Sequence, residues 1–163
     1  MTEKDYFTEQ IRACEEKMYL LAVGIVRNEA DAADVMQDAI LKAYCSLQQL
    51  ENRQKFQPWI LSIVHNTAIE FLRRRRDTVD LDSRFDLADP PRGVDTATRL
   101  TVWAAVQQLN QPYRSVIILY YYENYSVQQI AQVTSATAAT VRQQLSRGRK
   151  MLSRLLSKED FDL

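Results

Sequence analysis

The sequence predicts an all-helical protein made of two small domains, and three observations carry that prediction. Apolar residues recur at intervals of three and four along most of the chain. Glycine and proline, the residues that interrupt helices, number only three and four in 163. The helical period is lost once, between Asp77 and Asp95, where acidic residues predominate and Pro90, Pro91 and Gly93 forbid a continuous helix. The domains are accordingly expected at residues 1–76 and 96–163, with 77–95 as an acidic linker between them.

The first segment sets Ile11, Met18, Leu21, Ala22, Ile25 and Val26 on one stripe. Asn28 suits the cap of a second segment, with Asp31 at its third position, and Val35, Ile40, Leu41, Tyr44 and Leu47 are expected to form the buried stripe of that helix. After the polar stretch Gln48–Lys55, a third segment carries Phe56, Trp59, Ile60, Ile63, Val64, Ile69, Phe71 and Leu72 and ends in Arg73, Arg74, Arg75 and Arg76. Arginines in the last turns suit the negative end of the helix dipole but repel one another, so they call for an anionic partner or at least for water.

Beyond the linker the pattern resumes near Asp95 and runs to Leu109, and Pro112 suits the first turn of a segment reaching Tyr122. Ser126 to Lys150 then reads as a helix-turn-helix. Ser126 and Gln129 can form a capping box, Ile130 and Ala131 place an apolar and a small residue where two helices cross, and Val141 anchors the second helix inward. Arg142, Gln143, Ser146, Arg147 and Arg149 are left facing outward. A helix so equipped, laid in the major groove, reaches base edges with its first turns and phosphates with its later arginines. An ordinary helical hairpin with a solvated basic face would share the pattern.

The net charge is zero, from 21 basic and 21 acidic residues, but the charge is segregated. Residues 98–163 hold eight Lys or Arg against four Asp or Glu, while 77–97 hold six Asp against two Arg. A neutral total thus hides a basic reader beside an acidic connector. Cys14 and Cys45 share no metal-type spacing and are expected to be reduced, partly buried thiols, as in a cytosolic protein. No apolar run approaches the roughly 20 residues that span a bilayer, and Met1 to Asp5 lack a basic region followed by an apolar one, so neither membrane insertion nor export is expected.

On the second helix Asp31, Asp34 and Asp38, with Gln37, line one edge that suits an arginine-rich partner helix, although a solvated acidic face would have the same spacing. With no second carboxylate cluster and a single imidazole, His65, catalysis is not expected, nor is a cofactor or metal site; His65 reads as a surface or core-edge residue. The third segment aligns Phe56 and Trp59, Asn66 and the arginine run along one rod, a combination of stacking surface, amide and charge that holds single-stranded DNA. Core packing is the other reading of both aromatics, with apolar Ile60 and Ile63 beside Trp59.

Asn28 to Tyr44 (N-E-A-D-A-A-D-V-M-Q-D-A-I-L-K-A-Y), Phe56 to Arg76 (F-Q-P-W-I-L-S-I-V-H-N-T-A-I-E-F-L-R-R-R-R) and Leu109 to Ala131 (L-N-Q-P-Y-R-S-V-I-I-L-Y-Y-Y-E-N-Y-S-V-Q-Q-I-A) come in that order with an acidic linker after the second. Together they resemble the bacterial sigma-70 family, in its small extracytoplasmic-function (ECF) group, over nearly the whole chain. The first looks like the helix that binds core RNA polymerase, the second like the −10 helix of region 2, and the third like the lead-in to region 4, which reads the −35 element.

The resemblance implies a non-enzymatic cytoplasmic sigma factor that binds core polymerase, directs it to promoters and helps open the −10 element. It assigns Asp34, Gln37 and Asp38 to the β′ clamp helices, Asn66 and Arg73, Arg74, Arg75 and Arg76 to the −10 region, and Arg142, Gln143, Ser146 and Arg147 to the −35 element. Arg149 and Lys150 fall where phosphates are held. The implied partners are the β′ clamp helices and β flap of polymerase and promoter DNA, with room for an anti-sigma factor; the linker would thread the polymerase's RNA path. The chain departs from the family pattern in two places. Ser135 stands where glycine is common, and Arg142, Gln143 and Gln144 stand where Lys-Ser-Arg often follows Thr-Val, which bears on the preferred DNA sequence. A conventional helix-turn-helix regulator, or an RNA-binding or polymerase-sequestering adaptor, would act without directing polymerase, and run-off transcription with purified core enzyme separates the three.

Overall fold

A helix starts where a side chain supplies the acceptor its first amides lack, and the caps of this chain show how local sequence sets the elements. Thr2 accepts from the Asp5 amide at 3.1 Å and Asp5 accepts from the Thr2 amide at 3.2 Å, opening α1 (Glu3–Val26). Asn28 accepts from the Asp31 amide at 2.9 Å and opens α2 (Glu29–Cys45), as its sequence position predicts. Two short 3-10 turns, Leu47–Gln49 and Arg53–Lys55, lead into α3 (Phe56–Thr78). The structure, a computed structural model, describes residues 1–78 and 96–158, and every regular element among them is helical. The expected linker lies outside the described residues, apart from 77 and 78 at the end of α3. The chain divides into two units, Met1–Phe85 and Asp86–Leu163.

In the first unit the three long helices pack against one another around Met18, Leu21, Ala22 and Ile25 of α1 and Ile60, Leu61, Val64 and Ala68 of α3, all fully buried. Each large aliphatic side chain so buried contributes about 1.5–3 kcal/mol. The second helix corrects an expectation. Its buried stripe is Ala32, Val35, Met36, Ala39 and Ala43, whereas Leu41 is 63% and Tyr44 47% exposed. Alanines let α2 approach both neighbours closely, and the larger apolar residues sit about 100° or more around the helix from that seam. Leu47 is buried, but from the 3-10 turn beyond the helix. Both cysteines are free thiols; Cys14 is buried and Cys45, expected to be partly buried, is exposed.

The second unit contains α4 (Thr96–Gln107), α5 (Tyr113–Ile117), α6 (Val127–Thr134) and α7 (Ala138–Lys158). Its core gathers Trp103, Val106, Leu109, Ile117, Ile118, Leu119, Ile130, Val133 and Val141. Arg114, 3% exposed, donates from Nη1 to the Leu109 carbonyl at 2.6 Å and so ties the α4–α5 connection to α5. The segment expected to run as one helix from Pro112 to Tyr122 is α-helical only to Ile117; from Ile118 to Tyr122 it widens into a π-helical turn, closed by the Glu123 amide on the Ile118 carbonyl at 3.1 Å. Ser126 and Gln129 form the predicted capping box at the start of α6. Thr137 accepts from the Thr140 amide at 3.1 Å and caps α7. Gly148 lies against α5, where a Cβ would stand 3.1 Å from Ile117 Cγ1, so this helix crossing needs the missing side chain.

Between α6 and α7, Ser135 adopts φ 58° and ψ 38°, the left-handed conformation that glycine enters without steric cost, and its amide closes on the Ala131 carbonyl. The tight turn thus forms despite the serine. We predict that Ser135→Gly stabilises the second unit by about 0.5–1 kcal/mol, relief of the Cβ clash outweighing glycine's extra freedom in the unfolded chain. Urea unfolding of a Trp59→Phe background, which leaves Trp103 as the sole tryptophan, reports that unit directly. An unchanged or lowered midpoint for Ser135→Gly would contradict the strain argument.

Candidate functional site

Three surfaces carry the residues singled out in the sequence. On α2, Asp34, Gln37 and Asp38 are all exposed and share one edge with a groove of about 340 Å³ between α2 and α3. Lys42, also exposed, lies beside that edge, 3.6 Å from Asp38 and 3.7 Å from Glu70, and Arg74 lies 2.5 Å from Glu70. These exposed pairs contribute little stability each, but they orient the charges. Asp31 does not join the edge: it is paired with Arg75 across α2 and α3, its side chain 19% exposed. A second groove, about 650 Å³, continues the edge past Gln37 and Leu41 to Lys4, Phe7, Ile40 and Tyr44. The edge is therefore acidic on one side and apolar on the other. Reading size as burial hid Leu41 and Tyr44 from sequence reasoning; the alanine period at 32, 39 and 43 is the signal that would have found them.

On α3, Asn66 is exposed and accepts at Oδ1 from His65 Nδ1 at 3.2 Å, with the histidine in the tautomer that donates there. Burial holds the His65 imidazole below its ordinary pKa, partly offset by that hydrogen bond, so it is neutral at pH 7 and adds no charge to the surface. Seven residues on from Asn66, Arg73 falls on the same face, and Arg73, Arg74 and Arg76 are exposed. Arg75, nine residues from Asn66, lies about half a turn away and meets Asp31 instead. The four arginines do not form one surface. Of the two readings open for Phe56 the structure shows the core one: at 2% exposure it meets Tyr6 and Phe7 edge to face at 6.0 and 6.1 Å and Trp59 at 5.5 Å, and offers no face to a base. Trp59 is only partly covered.

On α7, Val141, Leu145 and Gly148 face inward, and Arg142, Gln143, Ser146, Arg147, Arg149 and Lys150 are exposed, as the helical period predicts. Arg154, which sequence reasoning passed over, is exposed and continues the stripe of Arg147 and Lys150. Its spacing of seven from Arg147 was the available signal. Tyr121, 49% exposed, stands against Arg149 and had no such signal. Among the described residues no group of three or more His, Cys, Asp or Glu is arranged to hold a metal ion, and no helix is long and apolar enough to cross a membrane.

Known proteins match this chain in both units. The family model for sigma-70 region 2 matches residues 11–78, and that for sigma-70 region 4 matches residues 99–152. RNA polymerase sigma factor SigV of Bacillus subtilis is 30% identical over 148 residues, 90% of this chain and 89% of that protein. The ECF sigma factor SigW of the same organism is 25% identical over 94% of this chain and 90% of its own length, and the ECF sigma factor SigM of Mycobacterium tuberculosis is 28% identical over 92% and 76%. In fold, the chain is similar to the sigma factor RpoE, solved with the anti-sigma factor NepR from Bartonella quintana (TM-score 0.77, 22% identity, 93% of this chain and 96% of that one). It is also similar to CnrH, solved with the cytosolic domain of CnrY (TM-score 0.72, 21% identity, 94% and 89%). A helical unit matched to region 2, a helix-turn-helix unit matched to region 4 and a relative alike along almost its entire length place this chain in the sigma-70 family, as an RNA polymerase sigma factor of the ECF group.

Proposed function

We propose that this sigma factor engages polymerase through the α2 edge, with Asp34, Gln37 and Asp38 meeting the β′ clamp helices and Leu41 and Tyr44 covered in the same contact. An exposed leucine and tyrosine beside exposed carboxylates make the mixed apolar and charged surface that a basic amphipathic partner helix requires. Residues 1–76 then form region 2, 77–95 the linker and 96–163 region 4. Asn66, Arg73, Arg74 and Arg76 take the −10 strand, while Arg75 holds α2 and α3 together through Asp31. Arg142, Gln143, Ser146 and Arg147 read the −35 element, Arg149 and Lys150 hold its phosphates, and the unit docks on the β flap. The factor works in the cytoplasm, where its polymerase is. An anti-sigma protein is a further partner, supported by the fold shared with a sigma factor solved in such a complex.

The observation that carries the polymerase assignment is the continuity of carboxylate and apolar surface on one helix edge. Run-off transcription with purified core enzyme tests it. The wild-type chain is expected to support promoter-specific transcripts, and the double variant Leu41→Ala/Tyr44→Ala to need about tenfold more protein for half-saturation, as for loss of an interface anchor of about 1.4 kcal/mol. Leu41 is largely exposed, but Tyr44 meets the buried Phe7 ring edge to face at 5.1 Å, so a small drop in melting temperature is expected, and a thermal melt shows that the variant is folded at the assay temperature. Saturation at the wild-type concentration would exclude the apolar part of the edge from the contact.

A further inference from the structure

Arg149 sits at the border of α7's outward face, one residue past the glycine that lets α5 approach. From the neighbouring π-helical turn comes Tyr121, brought to the surface beside it. Arg149 donates from Nε to the Tyr121 hydroxyl at 2.6 Å, and its guanidinium carbon lies 5.4 and 5.7 Å from the Tyr120 and Tyr121 ring centres. Those rings meet edge to face, 4.9 Å apart. Aromatic rings and a hydroxyl orient the guanidinium without neutralising it, in contrast to Arg74 and Arg75, each matched to a carboxylate. One N–H is engaged, so four remain for an anion.

We propose that Tyr121 is a positioning residue for promoter DNA: it fixes the Arg149 guanidinium, which clamps one backbone phosphate flanking the −35 element. A side chain already held in place loses less freedom on docking than a free arginine does, which is how a residue with no base contact raises affinity. A phosphate clamp acts on every sequence alike. The proposal rests on the reading of α7 as the −35 reader and adds to it a residue outside the helix-turn-helix.

Holoenzyme reconstituted from core polymerase and the full chain, titrated against labelled duplexes of two promoters differing at −35 over a range of salt, tests the proposal. Tyr121→Phe keeps the ring and removes the hydroxyl; it is expected to melt with the wild type and to weaken both promoters equally, by about threefold to tenfold. Arg149→Ala should weaken them at least as much and lower the salt slope by about one. In the Arg149→Ala background, Tyr121→Phe should change affinity by less than about twofold, because its partner is gone. Wild-type affinity for Tyr121→Phe, a loss that differs between promoters, or a full loss persisting without Arg149 would each overturn the clamp. If instead Arg142→Ala, Arg147→Ala and Arg149→Ala all left affinity and salt slope unchanged, the reading of α7 would fail, and the clamp with it.

Discussion

Reversing the charge at Asp34 or Asp38 is expected to abolish capture of core polymerase while leaving region 2 folded. Both side chains are exposed, so neither variant opens a cavity or strands a buried group. At a charged contact the reversal both removes an attraction and adds a repulsion, a loss of about 2–5 kcal/mol, or roughly thirtyfold to several thousandfold in affinity. The internal cost is small by comparison. Asp38→Arg places a positive charge four residues before Lys42, an unfavourable pair worth about 0.2–0.5 kcal/mol. Asp31→Arg is the control: it loses the partner of Arg75 between α2 and α3 and reverses a charge in the first turn of α2, so its principal effect should be a lower melting temperature. Pull-down of core enzyme at several salt concentrations, beside a thermal melt of each variant, separates the two outcomes. Undiminished capture by both Asp34→Arg and Asp38→Arg would remove this edge from the polymerase interface.

What the sequence disclosed and what it concealed follow from the range over which each signal acts. Caps were legible because Asn28 and Ser126 act on amides within three residues of themselves. The orientation of α7 was legible too, since its inward residues Val141 and Leu145 keep a strict period against a polar remainder. On α2 the same reasoning failed because the seam is made of alanines, whose small size marks close approach rather than bulk, while the large apolar residues face outward. Phe56 was ambiguous for a different reason. An aromatic beside a tryptophan fits a base or a core equally well, and the decision rests on Tyr6 and Phe7, at the far end of region 2 in sequence. Arg75 could have been set apart from its neighbours by period alone, since nine residues carry it to the face opposite Asn66. Tyr121 could not, because a π-helical turn shifts the register of every residue in it and no composition rule marks where one begins.

The second large effect is expected at the −35 element, where substitutions along α7 should divide into two kinds. Arg142 and Gln143 lie in the second turn after the Thr137 cap, exposed and clear of the core packing of Val141 and Leu145. A helix entering the major groove reads bases from those first turns. Arg142→Ala or Gln143→Ala should therefore change which sequence is preferred, each base-reading side chain supplying about 1–3 kcal/mol of discrimination. Arg147→Ala, one turn further along, should weaken −35 recognition while keeping the fold, being exposed. Lys150→Ala stands for the second kind: removing a phosphate partner lowers affinity for all sequences together and reduces the salt slope by about one. Both kinds leave Gly148 and Ile117 untouched, so the packing of α7 on α5 is preserved and any change reports on DNA. Selection by holoenzyme from a randomised −35 element reads preference, and salt titration on a fixed promoter reads phosphate binding. If wild type, Arg142→Ala and Gln143→Ala all returned the same motif, these two residues would have no part in base reading, and the preference would have to come from Ser146, Arg147 or the shape of the groove.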